Sequence, residues 1–196
     1  MDPLDFAPAT TTLARLVTGV TDGQLTARTP CPDYTVADLA DHIGGLALAF
    51  TAAARKDDVP AGGGSGDGSR LEDGWRERIV AQLAELTDAW RDPAAYDGFT
   101  MAGPIEMPAE VAALVALNEV VVHGWDLARA TGQRFDADDA DAASCLGFAE
   151  SFEAPADDED APFGPPVPVP ADAGVLDRLI GATGRDPAWT PVTVGN

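Results

Sequence analysis

The spacing of apolar residues along the chain predicts a mostly helical protein. A first helix over residues 4–19 has its apolar side chains on one face, namely those of Leu13, Leu16 and Val17, followed by Val20. A second helix begins after Thr35, because Thr35 and Asp38 have the spacing of a capping box. Its apolar stripe then follows the helical period, with Val36, Leu39, Ile43, Leu46 and Phe50.

Two more long helices and two short ones follow. Ser69 and Glu72 have capping-box spacing for the start of a third helix, and Asp92 and Pro93 are expected to end it. Pro108 suits the first position of a fourth helix that Gly132 ends. Shorter helices are predicted over residues 138–152 and 175–180, and residues 96–107 form an irregular crossing with room for a short extended piece. Four long amphipathic helices with little strand signal predict an all-α four-helix bundle with an extra C-terminal helix.

The composition of the segments between the helices predicts their conformation. The glycine-rich stretch 56–68 predicts a flexible surface connection, and the acidic run 157–160 predicts a solvated turn. Five prolines within 162–170 predict extended backbone. A chain of 196 residues suits one domain over 1–196, with a core over about 4–153 and a tail over 154–196.

The charge of the chain narrows the choice of partners. It has 33 acidic and 12 basic residues, a formal net charge of −21. We therefore expect neither nucleic acid nor an anionic membrane surface as a partner. The apolar stretch 111–122 is interrupted by Asn118 and Glu119 and is too short for a bilayer, and the N-terminus lacks the pattern of a signal peptide. With only two cysteines, the chain is expected to be a soluble cytoplasmic protein.

The two histidines of the chain are the strongest candidates for chemistry. His123 follows Glu119 by one helical turn, so both side chains lie on one face of the fourth helix. His42 lies at the edge of the apolar stripe of the second helix. If these helices are neighbours, His42, Glu119 and His123 form a His₂Glu metal site with an open fourth position. A half-buried histidine paired with a carboxylate for structural reasons is the alternative, and the pattern leaves both open.

Two segments resemble the signatures of a known family. They are TPCPDYTVADLADH over residues 29–42 and NEVVVHGWDLARATG over residues 118–132. Both resemble the mycothiol-dependent maleylpyruvate isomerase family, a branch of the DinB-like metal-binding four-helix bundles. Three tail segments, 163–170, 177–180 and 183–189, are similar to an actinobacterial subgroup of uncharacterised members. The resemblance extends over nearly the whole chain.

The resemblance implies a metal and a thiol. In the family a histidine of the second helix and a later Glu-x-x-x-His pair bind a divalent metal, usually zinc, and these positions correspond to His42, Glu119 and His123. The family also implies mycothiol as cosubstrate, with a metal-activated thiolate that attacks a small electrophile in a transferase or isomerase reaction. The characterised isomerase has a further C-terminal domain where this chain has a proline-rich tail, so the substrate is left open. The alternative is a non-catalytic bundle, stabilised by a metal, that acts as a binding or interaction module.

Other residues are weaker candidates. Asp126 lies three residues after His123 and is a candidate acceptor for a ligand histidine, although an ion pair with Arg129 explains it equally well. Cys31, Cys145 and Trp125 are expected to pack rather than react. The acidic stretch 136–141 lacks the glycine and glutamate of a calcium loop, and 62–68 lacks the lysine of a phosphate loop. A homodimer is an open possibility.

Overall fold

A computed structural model of the chain describes residues 3–58, 65–152 and 163–191. Within these ranges the chain forms six α-helices and one β-hairpin. In chain order they are α1 (Ala7–Gly19), α2 (Val36–Arg55), α3 (Trp75–Trp90), β1 (Phe99–Ala102), β2 (Ile105–Pro108), α4 (Ala109–Thr131), α5 (Asp139–Glu150) and α6 (Val175–Ala182). Short 3₁₀ turns occupy Asp22–Gln24, Gly68–Arg70 and Pro93–Tyr96.

The four long helices form the predicted bundle. α2 packs against α3 and α4, and α1 packs against the same two helices from the other side. α5 lies on α4, and α6 lies on α5. The largest fully buried side chains of the bundle come from α1–α4 and include Leu13, Leu16, Leu39, Ile79, Leu83, Leu86, Trp90, Leu117 and Leu127. This apolar burial is the main source of stability, at about 25 cal/mol per Å².

Two helices of the bundle are apolar along most of their length. α2 and α4 reach mean hydropathies of 1.2 and 1.4 over 18 residues, which is enough to cross a membrane by length and composition. However, 61% and 78% of those stretches are buried against the other helices. Packing within the bundle therefore accounts for their apolar character.

A two-stranded antiparallel hairpin occupies the crossing between α3 and α4. Phe99 pairs with Pro108 and Ala102 with Ile105, and Gly103 supplies a positive φ of 60° at the turn. The Thr100 hydroxyl donates to the carbonyl of Ala53 at 2.6 Å and ties the hairpin to α2. The short extended piece predicted here is thus a full hairpin, which alternation over only four residues per strand did not reveal.

Several predicted helix ends were wrong. α1 begins at Ala7 rather than residue 4, with Pro8 in its first turn. α3 begins at Trp75 after Gly74, whose φ is 78°, because Ser69 donates to Asp67 in a separate 3₁₀ turn and caps no helix. Pro108 ends β2 and precedes α4 instead of beginning it. α5 covers Asp139–Glu150 and α6 extends to Ala182, each within two residues of the prediction.

One connecting segment, the glycine-rich stretch 56–68, is held more firmly than the predicted flexible connection. The second half of the glycine-rich stretch is held by α2 and by the residues just before it: Gly68 N–H donates to Asp38 of α2 at 2.8 Å, and Gly66 N–H donates to the Tyr34 hydroxyl at 3.1 Å. Residues 163–170 have no helix or strand, and Val167 N–H donates to the carbonyl of Gly181 at 2.9 Å. The acidic run 157–160 and residues 59–64 lie outside the described residues.

Candidate metal centre

Three side chains from α2 and α4 meet inside the bundle. Glu119 Oε2 lies 3.0 Å from His123 Nε2 and 3.8 Å from His42 Nε2. One nitrogen or oxygen atom from each residue lies within 4.8 Å of the others. The three residues share this site because α2 and α4 pack side by side, and because four residues separate Glu119 from His123 on one helix.

The site is largely shielded from solvent. The side chains of His42 and His123 are 11% and 8% exposed, and that of Glu119 is 28% exposed. Most of the buried side chains around the site are apolar. Glu119 is the most exposed of the three side chains.

His123 is held by a second carboxylate. Its Nδ1–H donates to Asp126 Oδ2 at 3.0 Å, and Asp126 is fully buried. With one proton fixed on Nδ1, Nε2 is the nitrogen that binds a metal once its own proton has been displaced. The alternative role for Asp126, an ion pair with Arg129, is not adopted, because the Arg129 guanidinium donates to the carbonyls of Pro187 and Trp189.

The cation that pairs with Asp126 comes from the tail. Arg185 Nε lies 3.0 and 3.1 Å from the two carboxylate oxygens of Asp126, and Nη2 lies 2.9 Å from Oδ2. Sequence reasoning missed this residue. A signal was present, since a carboxylate on the buried side of α4 requires a partner, and the chain has only 12 basic residues to supply one.

The electrostatics of the metal-free site follow from these contacts. Burial alone would raise the pKa of Glu119, but the contact with His123 at 3.0 Å and the nearby His42 imidazole at 3.8 Å outweigh burial and hold this pKa well below its usual range. Burial would lower the pKa of His123, but Asp126 and Glu119 outweigh it and raise this pKa to about 9. Without a metal, Glu119 and His123 therefore form a buried ion pair at neutral pH.

A tyrosine and a loop cover the His42 side of the site. The Tyr34 ring lies against the His42 imidazole with a centroid distance of 5.1 Å. Gly66 lies so close to α2 that a β-carbon there would overlap the carbonyl of Asp38 and reach within 3.0 Å of His42 Cβ. Arg70 donates to Asp41 and to the carbonyl of Ser65, which closes this loop on α2. His42 Nδ1 has no hydrogen-bond partner within the described ranges, so only one of the two histidines is anchored by a carboxylate.

Cys145 and Trp125 are buried, whereas Cys31 is half-buried. Cys145 is fully buried, and burial raises its pKa to about 12. Burial, followed by the nearby Asp126 charge, raises the pKa of Cys31, so this thiol stays protonated at neutral pH. Trp125 is buried on α4, with the Arg129 guanidinium 5.6 Å from its ring centroid.

The donor set fits a zinc-like ion. Tetrahedral zinc binds imidazole nitrogen and carboxylate oxygen at about 2.0–2.2 Å, which separates neighbouring ligand atoms by roughly 3.3 Å. The observed separations of 3.0 and 3.8 Å lie on either side of that value. Two nitrogens and one oxygen fill three positions and leave one open, and the Asp126 contact supplies the outer carboxylate that such histidines usually have.

The comparison with known proteins identifies the family. The family profile described as "Mycothiol maleylpyruvate isomerase N-terminal domain" matches residues 6–128. The chain belongs to this family. The matched range contains α1–α3, α4 up to residue 128 and all three residues of the candidate site, and it ends before α5 and the tail.

Relatives and a solved structure agree with this assignment. The chain is 30% identical over 189 residues to uncharacterized proteins from two strains of Mycobacterium tuberculosis, and the match covers 94% of this chain and 98% of each relative. The crystal structure of the mycothiol-dependent maleylpyruvate isomerase is similar in fold, with a TM-score of 0.54 and 19% identity. That match covers 74% of this chain and 64% of the isomerase chain, so about a third of the isomerase chain lies outside the match.

Proposed function

We propose that the protein binds one divalent metal ion, with zinc preferred, through His42 Nε2, Glu119 Oε2 and His123 Nε2. The observation that carries the proposal is the meeting of these three atoms from two helices in a buried site. Two imidazoles and one carboxylate are also a common donor set of catalytic zinc. Nickel and iron accept the same donors, so the identity of the metal is decided by measurement.

The balance of buried charge favours an anion at the open position. In the metal-free site the negative Glu119 and Asp126 balance the positive His123 and Arg185. A divalent cation that displaces the proton of His123 leaves the same group with one net positive charge. A monoanionic ligand restores neutrality, which matters where water is scarce.

A thiol is the ligand that the family implies. A bound divalent cation would lower the pKa of a coordinated thiol from about 8.5, so that it is a thiolate at neutral pH. We propose mycothiol as this thiol and a small electrophile as its substrate, in a transferase or isomerase reaction. Family membership through residues 6–128 supports the thiol, whereas the substrate is not defined by any residue of the described chain.

The residues of the chain then have separate roles. Asp126 keeps the Nδ1 proton on His123, so that Nε2 is the nitrogen that binds the metal. Glu119 supplies the anionic oxygen and, being the most exposed of the three ligands, lies nearest to the approach of a small molecule. Tyr34 and residues 65–70 shield His42 from water.

Elemental analysis of protein purified without chelator tests metal binding. The wild type is expected to hold close to one equivalent of metal, and the His42→Ala, His123→Ala and Glu119→Gln variants much less. Glu77→Gln, which changes an exposed glutamate of α3, is the matched control and should keep the metal. A wild type without stoichiometric metal, or variants that retain it, would contradict the proposal.

A second function, a metal-stabilised interaction module, follows from the same geometry. The three ligands lie on α2 and α4, so a fully coordinated ion would cross-link these helices without any reaction. Titration of cobalt-substituted protein with a thiol separates the two functions. A change in the visible spectrum indicates an open position that accepts thiolate, and an unchanged spectrum favours the module.

The cellular setting is part of the proposal. We propose a cytoplasmic protein, where thiols are kept reduced, and both Cys31 and Cys145 are free thiols. The net charge of −21 supports small molecules rather than nucleic acid or anionic membranes as partners. A homodimer stays a prediction, to be checked by light scattering.

A further inference from the structure

The C-terminal segment is joined to α4 at two places. Arg185 pairs with Asp126 through three contacts of 2.9–3.1 Å. Further along, Arg129 Nη2 donates to the carbonyl of Pro187 at 3.1 Å and to that of Trp189 at 2.6 Å. The helix that carries Glu119 and His123 therefore holds a segment that lies beyond the family match.

Arg185 is itself held in a defined position. Its backbone N–H donates to the carbonyl of Ile180, and its Nη1 donates to the carbonyl of Thr183, both at 3.0 Å. Gly184 adopts a φ of 80°, and a β-carbon there would lie 2.9 Å from the backbone of Gly164. Leu179 and Ile180 of α6 are fully buried, so the turn that presents Arg185 is anchored in the core.

We propose that Arg185 is a positioning residue of the metal site. The inference rests on the proposed function, since it concerns the affinity for the metal. Arg185 holds both oxygens of Asp126, and Asp126 in turn holds Nδ1 of His123, so that Nε2 faces Glu119. Asp126 is fully buried, and the hydrogen bonds that its carboxylate makes within the described residues are to His123 and Arg185.

Two effects of Arg185 on the metal have opposite signs. Its positive charge repels a cation, so that charge alone predicts tighter metal binding when Arg185 is neutralised. Its hold on Asp126 orients a ligand histidine, and loss of such outer contacts typically weakens metal binding by about 10- to 100-fold. Weaker metal binding after Arg185 is neutralised therefore indicates a positioning role, and tighter binding indicates that its charge dominates.

The experiment measures metal dissociation constants by competition with a chromogenic chelator, using zinc as the probe and the full chain. Arg185→Gln is expected to weaken binding by about 10- to 100-fold. Arg185→Lys keeps the charge but offers one ammonium instead of a planar fork, so an intermediate affinity is expected, with the fold retained. The visible spectrum of the cobalt-substituted Arg185→Lys protein should also shift, because the orientation of a ligand changes.

Arg129→Gln is the matched control. It removes the second attachment of the tail to α4 without touching Asp126, and its affinity should stay within about twofold of the wild type. The positioning role is overturned if the Arg185 variants bind zinc as tightly as the wild type or more tightly. It is also overturned if Arg129→Gln loses as much zinc affinity as they do. In both cases the proposed function stands. A wild type that binds no zinc would instead overturn the proposed function, and this inference with it.

Discussion

The imidazole rings of His42 and His123 lie edge to face, with centroids 4.9 Å apart and planes at 85°. The two residues are far apart in sequence, and each belongs to a different helix of the bundle. Their Nε2 atoms both face the same oxygen of Glu119. This relationship is what gives an acidic helical bundle a site for chemistry, and the predictions below follow from it and from its surroundings.

Metal binding should strengthen as the pH rises toward 9. Asp126 and Glu119 raise the pKa of His123 to about 9 in the metal-free protein, so a metal must displace a proton at any lower pH. One displaced proton corresponds to about a tenfold gain in affinity per pH unit. Chelator competition between pH 7 and pH 9 measures this slope, and an affinity that is flat over that range would be inconsistent with a protonated His123.

The same ion pair affects the stability of the metal-free protein. The raised pKa of His123 stabilises the fold fully below its ordinary pKa of 6.5, and this contribution is lost as the pH rises through about 9. Chelator-treated protein should therefore have a lower melting temperature at pH 9 than at pH 6.5, whereas the His123→Ala variant should show a smaller decline.

Asp126→Asn should weaken metal binding without unfolding the bundle. The amide still accepts a hydrogen bond from His123 but loses the charge that pairs with Arg185, and we expect a loss of about 10- to 100-fold in affinity. Asp136→Asn is the control, because this exposed residue pairs only with Arg134 among the described residues. Equal affinities for both variants, measured by chelator competition, would remove Asp126 from the site.

Asp141→Asn should stabilise the protein at neutral pH. Burial, followed by the charges of Asp138 and Asp5, raises the pKa of Asp141 to about 6, and its Oδ2 has no hydrogen-bond partner within the described chain. Stability from this group is present below its ordinary pKa of 3.8 and is lost as the pH rises through 6. Chemical unfolding should show a gain of about 1–3 kcal/mol at pH 7 and little change at pH 4. The exposed Asp139→Asn is the control, and a gain that does not depend on pH would refute this explanation.

Two glycines should respond in opposite directions to alanine. Gly184 has a φ of 80° and touches Gly164, so Gly184→Ala should destabilise the fold by about 1–3 kcal/mol. Gly147 lies within α5 with open space around its Cα, so Gly147→Ala should stabilise it by roughly 0.5–1 kcal/mol. Thermal unfolding of the two variants measures both changes. If both variants were stabilised, or both destabilised, the result would count against the conformation described for Gly184 or for Gly147.

The sequence allowed most of the bundle to be predicted because the apolar residues of α1, α2 and α4 follow the helical period. The fold class and the family are confirmed by the profile match over residues 6–128 and by the similarity in fold. The start of α3 was wrong because a capping-box spacing is local, and Ser69 satisfies its hydrogen bonds within a 3₁₀ turn. Helix ends depend on such local competition more than on the period.

The candidate site was predictable only in part. The spacing of Glu119 and His123 on one helix and the place of His42 on the second helix are visible in the sequence, and the family resemblance pointed to the same three residues. The need of Asp126 for a cation was visible, but its pairing with Arg185 was not, because the pairing depends on how α6 and the turn at Gly184 return the chain to α4. Contacts between distant segments of this kind leave no periodic pattern in the sequence.

X-ray absorption at the zinc edge tests the central claim most directly. The zinc-loaded protein should show only nitrogen and oxygen neighbours at about 2.0–2.2 Å, with histidine ring scattering. Addition of mycothiol should add one sulfur neighbour at about 2.3 Å. A zinc ion with sulfur neighbours before the thiol is added, or without histidine scattering, would contradict binding by His42, Glu119 and His123.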